Sequence, residues 1–96
     1  MKKHESAIQT QIQNWIELHG GVCQKTHGSA IAGSAWPDLI GGMGLPFAVE
    51  VKRPGQDATK AQEAMLRIYE ANGFITGVVR SVSDFERLMR SANSVV

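Results

Sequence analysis

The chain has 96 residues, enough for one hydrophobic core and too few for two. Its 43% hydrophobic and 20% charged content is that of an ordinary globular domain, and no apolar run approaches a membrane span. A net charge of +1 argues against nucleic-acid binding by bulk charge alone; such binding needs local clustering, a bound metal or a second subunit.

The start, Met1-Lys2-Lys3-His4-Glu5, leads directly into a polar, helix-like segment without the apolar stretch of a signal peptide, so the expected place of work is the cytoplasm. Residues 4–19 read as a helix, because Ile8, Ile12, Trp15 and Ile16 recur at helical spacing and form one apolar stripe. Gly20-Gly21 is its stop signal. Val22 to His27 is strand-like, and residues 28–36 form a loop of small residues, of the length that is often functional. Cys23 has no second cysteine for a disulfide or a zinc cluster, and fits as a small half-buried strand residue.

Pro37 opens a short strand, Asp38 to Ile40, followed by a turn over Gly41-Gly42-Met43-Gly44 with Leu45-Pro46. Phe47 to Arg53 is the clearest strand and ends at Pro54-Gly55. Residues 59–72 read as the second helix, 74–80 as a glycine-interrupted strand, and Ser83 to about Ala92 as a third helix opened by a Ser83-x-x-Glu86 capping box. The unit 47–80 predicts a right-handed crossover between parallel strands, while the shorter connections before it predict antiparallel pairing. The sum is a single α/β domain over residues 1–96, a small mixed sheet of about four strands with helices on both faces.

Strand residues alternate faces, so Glu50 and Lys52 share one face and Val49 and Val51 take the other. With a helix over each face, neither charge has an easy route to water, and an unpaired buried charge is costly. Either the two form a simple ion pair or wet strand face, or something else shares the site. A hairpin brings Asp38 beside Glu50, and two close carboxylates either raise a pKa or require a cation. A hard divalent cation with oxygen ligands resolves the repulsion. Glu5 lies on the apolar stripe of the first helix, either reaching back to solvent or offering a third oxygen. Gln62 completes a Thr59-x-x-Gln62 capping box and also stands on the turn of helix nearest the Glu50 strand; both roles stay open.

Asp38, eleven residues, then Glu50-Val51-Lys52, with Pro37 in front, resembles the PD-(D/E)XK nuclease motif. Glu5 in the first helix, PDLIGG, FAVEVKRPG and Thr59-x-x-Gln62, in an αβββαβ order, together resemble the VRR-NUC (virus-type replication-repair nuclease) family over residues 4 to 80. The resemblance implies a restriction-endonuclease-like core and a metal-dependent DNA endonuclease of the stand-alone type known from phages and bacteria. It implies that Asp38, Glu50 and the backbone carbonyl of Val51 bind Mg²⁺ or Mn²⁺, with Glu5 contributing directly or through water. Lys52 then orients or helps deprotonate the attacking water, and Gln62 supports the site. It further implies a homodimer that cuts branched DNA such as four-way junctions, in a bacterial or phage-infected cell.

The competing readings are a nuclease for flaps, nicks or ends, and a non-catalytic nucleic-acid-binding module that keeps the fold. The WPD of residues 36–38 also occurs in tyrosine phosphatases, but Cys23 lacks the arginine that their catalysis needs. Lys2, Lys3, Lys25, Arg53 and Lys60 are the candidate phosphate contacts, and no base-reading arrangement is apparent. His4, His19 and His27 have no ligand spacing.

Overall fold

A computed structural model of the chain describes residues 4–26 and 35–93. The isoleucine stripe forms as expected: α1 spans Glu5–Leu18 and buries Ile8, Ile12 and Ile16. Gly20 follows the helix with φ +86°, a conformation that a side chain disfavours, and Gly21 N closes on Ile16 O at 2.9 Å. β1 then covers Val22–Lys25. The strand ends two residues short of the expected His27: Thr26 already lies past it, and His27 and the loop 28–36 up to Ser34 lie outside the described residues.

β2 spans Leu39–Gly42, one residue later at its start than expected and two later at its end. Gly41 and Gly42 belong to the strand rather than the turn. The reason at Gly41 is steric: a Cβ there would stand 2.0 Å from Val22 O, so only glycine lets β1 approach. The turn contracts to residues 43–45, closed by Met43 N donating to Leu45 O at 3.0 Å. β3 is Pro46–Val51. Lys52 and Arg53, expected inside this strand, lie past its end, where the chain turns toward Pro54-Gly55.

α2 spans Lys60–Ala71, with both arms of the Thr59/Gln62 capping box formed. β4 is Ile75–Val79 and α3 is Val82–Asn93. The expected Ser83-x-x-Glu86 box is not the cap. Ser81 Oγ accepts from Asp84 N at 3.0 Å, and Asp84 Oδ2 accepts from Arg80 N at 2.9 Å. The same sequence pattern sits two residues earlier, while Glu86 pairs with Arg90 along the helix.

The sheet order is β1-β2-β3-β4. β1 pairs antiparallel with β2, β2 antiparallel with β3, and β3 parallel with β4 across the α2 crossover, as the connection lengths predict. α1 and α3 share one face. Their Ile8, Ile12, Ile16, Phe85 and Met89 pack with Leu39, Phe47, Val49, Val51 and Val79 in one cluster. Phe85 meets Phe47 edge to face at 4.9 Å and Trp15 at 6.2 Å. α2 covers the opposite face and buries Leu66. Each fully buried aliphatic or aromatic side chain contributes about 1.5–3 kcal/mol, so this single layer-crossing core carries the fold. Among the described residues no helix is long and apolar enough to cross a membrane.

Candidate active site

Val49 and Val51 point into the α1/α3 core, so Glu50 between them points to the α2 face, where it is only 1% exposed. The β2–β3 register pairs Leu39 with Val49, and its next step sets Asp38 opposite Glu50. Asp38 is fixed there from two directions. Its Oδ2 accepts a hydrogen bond from Val51 N at 2.9 Å, and its own carbonyl accepts from Thr26 N at 3.1 Å. Thr26 Oγ1 also donates to Pro37 O at 2.6 Å, tying the Pro37-Asp38 corner to the end of β1.

Glu50 Oε1 accepts from Gln62 Nε2 at 3.2 Å, while Oε2 is buried without a hydrogen-bond donor. The Glu50 carboxyl is pushed up to about 9, first by burial and then by the Asp38 carboxyl within proton-sharing reach; Lys52 opposes the shift and Glu5 adds to it. Glu50 therefore holds a proton at neutral pH unless positive charge arrives. Lys52 supplies some of that field from just beyond the strand end, opposite the backbone of β4, where its N–H bonds Val79 O at 3.0 Å.

Gln62 serves both of its expected roles at once. Oε1 accepts from Thr59 N at 2.9 Å in the capping box, and Nε2 is left to reach Glu50. Val51 is placed to offer its carbonyl: its N–H points to Asp38, and in an extended strand the C=O of the same residue points to the same edge. Glu5, the first residue of α1, is near enough to act on Glu50 by its charge. Among the described residues no three His, Cys, Asp or Glu side chains converge into a metal cage. What is present is a two-carboxylate site, with one buried carboxylate oxygen lacking a donor. Mg²⁺ and Mn²⁺ suit such a site, because Mg²⁺ keeps several waters and takes one or two protein carboxylates.

Lys2 and Lys3 lie outside the described residues, and the remaining candidate phosphate contacts do not converge. Lys25 pairs across the sheet with Leu39, so it lies on the α1 face, where its Nζ donates to Thr10 Oγ1 at 2.6 Å. Arg53 follows Lys52 and is half-buried, and Lys60 is exposed on the first turn of α2, both on the loop side of the site. Burial first, and the Glu17 carboxylate second, push the Cys23 thiol up to about 11, away from the thiolate form that a nucleophile uses. The motif did not mark Arg80, whose Nη2 donates to Gln56 O at 2.7 Å in the loop between Lys52 and α2. Its only sequence signal is its place immediately after β4.

No protein-family model matches the chain, and no curated protein matches it. Solved structures do. One, described as a "VRR_NUC domain protein", superposes with a TM-score of 0.72 at 18% identity, covering 94% of this chain and 88% of its own. Another, a "VRR_NUC domain", gives 0.70 at 21% identity, covering 96% and 97%. The chain has the fold of the VRR_NUC domain, an α/β core of a four-stranded mixed sheet flanked by three helices.

Proposed function

We propose that this chain is a divalent-metal-dependent DNA endonuclease. The observation that carries the reading is the Asp38/Glu50 pair, two carboxyls brought together on a covered sheet face with Glu50 Oε2 lacking a donor. A structure that needed only stability would place an apolar residue at position 50. The likeness in fold to VRR_NUC domains supports the same chemistry.

Asp38, Glu50 and the Val51 carbonyl would hold Mg²⁺ or Mn²⁺, with Glu5 contributing through water. When bound, such a cation supplies Lewis-acid activation of water and neutralises charge on the phosphodiester. Lys52 directs its ammonium at the non-bridging phosphate oxygens and orients the attacking water. The water oxygen forms the new P–O bond, one ester P–O bond breaks, and the departing oxygen takes up a proton. Gln62 keeps Glu50 aimed by donating to Oε1.

The substrate is branched DNA, the four-way junction above all, cut by a homodimer. Twofold symmetry in the junction calls for two sites, and one domain of this size has one. Exposed Leu18, Val22 and Leu45 offer apolar surface at the end of the sheet away from Glu50. Pairing there would leave both sites facing outward. Cleavage of labelled four-way junction, flap and duplex with Mg²⁺, Mn²⁺ or EDTA tests the reading. Cutting of flap alone would keep the chemistry and discard the junction.

A further inference from the structure

The residues that the site depends on are joined by a loop, and the loop has an external anchor. Lys52 stands at its start and the Thr59 cap of α2 at its end. Its first turn is closed by Gln56 N donating to Arg53 O at 3.1 Å, over Gly55 at φ +87°. Beyond that turn, Arg80 fastens the loop. Its Nη2 donates to Gln56 O at 2.7 Å and lies 3.4 Å from Asp57 Oδ1.

The carbonyl contact matters more than the ion pair. Asp57 is 95% exposed, where a single ion pair contributes little, whereas a guanidinium donating to a backbone carbonyl is a charge-assisted bond to the loop itself. Arg80 is in turn fixed from behind. Its N–H is held by Asp84 Oδ2 at 2.9 Å, and Asp84 N is held by Ser81 Oγ at 3.0 Å. One run of hydrogen bonds thus leads from the α3 cap through Arg80 to the loop. From the loop it continues through the Thr59/Gln62 box to Glu50.

We propose that Arg80 is a positioning residue: through Gln56 it sets the loop that places Lys52 and Gln62 toward Glu50. Its consequence for catalysis rests on the nuclease reading; its consequence for Gln62 does not. A rival role, direct contact with a DNA phosphate by the 34%-exposed side chain, predicts a different pattern.

The test uses the full chain and the variants Arg80→Ala, Arg80→Lys and Asp57→Asn. The first readout is NMR hydrogen exchange at the Thr59 amide and the Gln62 side-chain amide, which needs no activity. The second is kcat and KM for branched-DNA cleavage with Mn²⁺. Arg80→Ala is expected to speed exchange at both groups and lower kcat about 10- to 100-fold with little change in KM. Arg80→Lys should restore most of both, and Asp57→Asn should change neither. If Arg80→Ala does not fold, Arg80→Gln, which keeps the stem and removes the charge, carries the comparison. Unchanged exchange at Thr59 and Gln62 overturns the proposal. So does a raised KM at constant kcat with a shallower salt dependence, which assigns Arg80 to phosphate. A wild type that cuts no DNA would defeat the nuclease reading and leave the exchange readout to decide this one.

Discussion

Gln62 Nε2 donates to Glu50 Oε1 at 3.2 Å while the other end of the same amide accepts from Thr59 N, so one side chain caps α2 and aims the buried carboxyl. The two functions separate by mutation. Gln62→Ala loses both and should lower stability by about 1 kcal/mol, the usual worth of a cap, and the cleavage rate about 10- to 100-fold. Gln62→Glu keeps the acceptor for Thr59 N but brings a third carboxylate to Glu50 without a donor. Its urea midpoint in EDTA at pH 8 should fall below that of Gln62→Ala, because the added charge at the buried site outweighs the retained cap.

The raised Glu50 pKa makes stability pH-dependent with a definite sign. Between about 4.5 and 9 the unfolded chain has lost a proton that the folded chain keeps. Unfolding releases that proton, so the Glu50 contribution to metal-free stability is fully present below 4.5 and is lost as pH rises, by up to about 1.4 kcal/mol per unit until the folded carboxyl also ionises. Glu50→Gln cannot ionise. It should flatten this slope, stabilise the metal-free protein at pH 8, and abolish cutting. Urea unfolding in EDTA at pH 6 and pH 8 checks both.

Asp38→Ala should also abolish cutting, but with the opposite effect on stability. It removes the acceptor of Val51 N and should cost about 1–3 kcal/mol. A Glu50→Gln gain beside an Asp38→Ala loss would show that the two carboxyls are not interchangeable acids. Guanidinium chloride midpoints of the two variants, measured together, decide it.

The helices and the strand partners were legible because each rests on one strong pattern. Ile8, Ile12 and Ile16 repeat at the helix period, and the apolar run ending in Glu50 can hardly be anything but a central strand. The meeting of Asp38 with Glu50 was legible too, since a short turn between antiparallel strands fixes the register. Three features were hidden by tertiary causes. Gly41 reads as a turn until β1 is seen within 2.0 Å of its missing Cβ. Ser83 and Ser81 both begin a plausible box, and which one caps depends on the phase that Phe85 and Met89 take in the core. The approach of Glu5 to Glu50, close enough for its charge to act there, is set by how α1 packs on the sheet, a relation that periodicity within one helix does not contain.

The exposed end of the sheet gives a prediction for assembly. Leu18 and Val22 are 82% and 68% exposed. Leu18→Lys with Val22→Glu should leave folding intact and convert the proposed dimer to a monomer in sedimentation equilibrium. Paired cuts in a junction should then become single nicks, with the rate per site little changed.

The most direct measurement is cleavage of a labelled four-way junction by the wild type, Glu50→Gln and Lys52→Ala, each with Mn²⁺ and with EDTA. The account predicts paired cuts by the wild type in Mn²⁺, and no cuts in EDTA or by either variant, although Glu50→Gln is the more stable protein at pH 8. Cutting that survives EDTA or the Glu50→Gln change would contradict it. A folded wild type that binds DNA yet cuts no DNA substrate in Mg²⁺ or Mn²⁺ would contradict it equally.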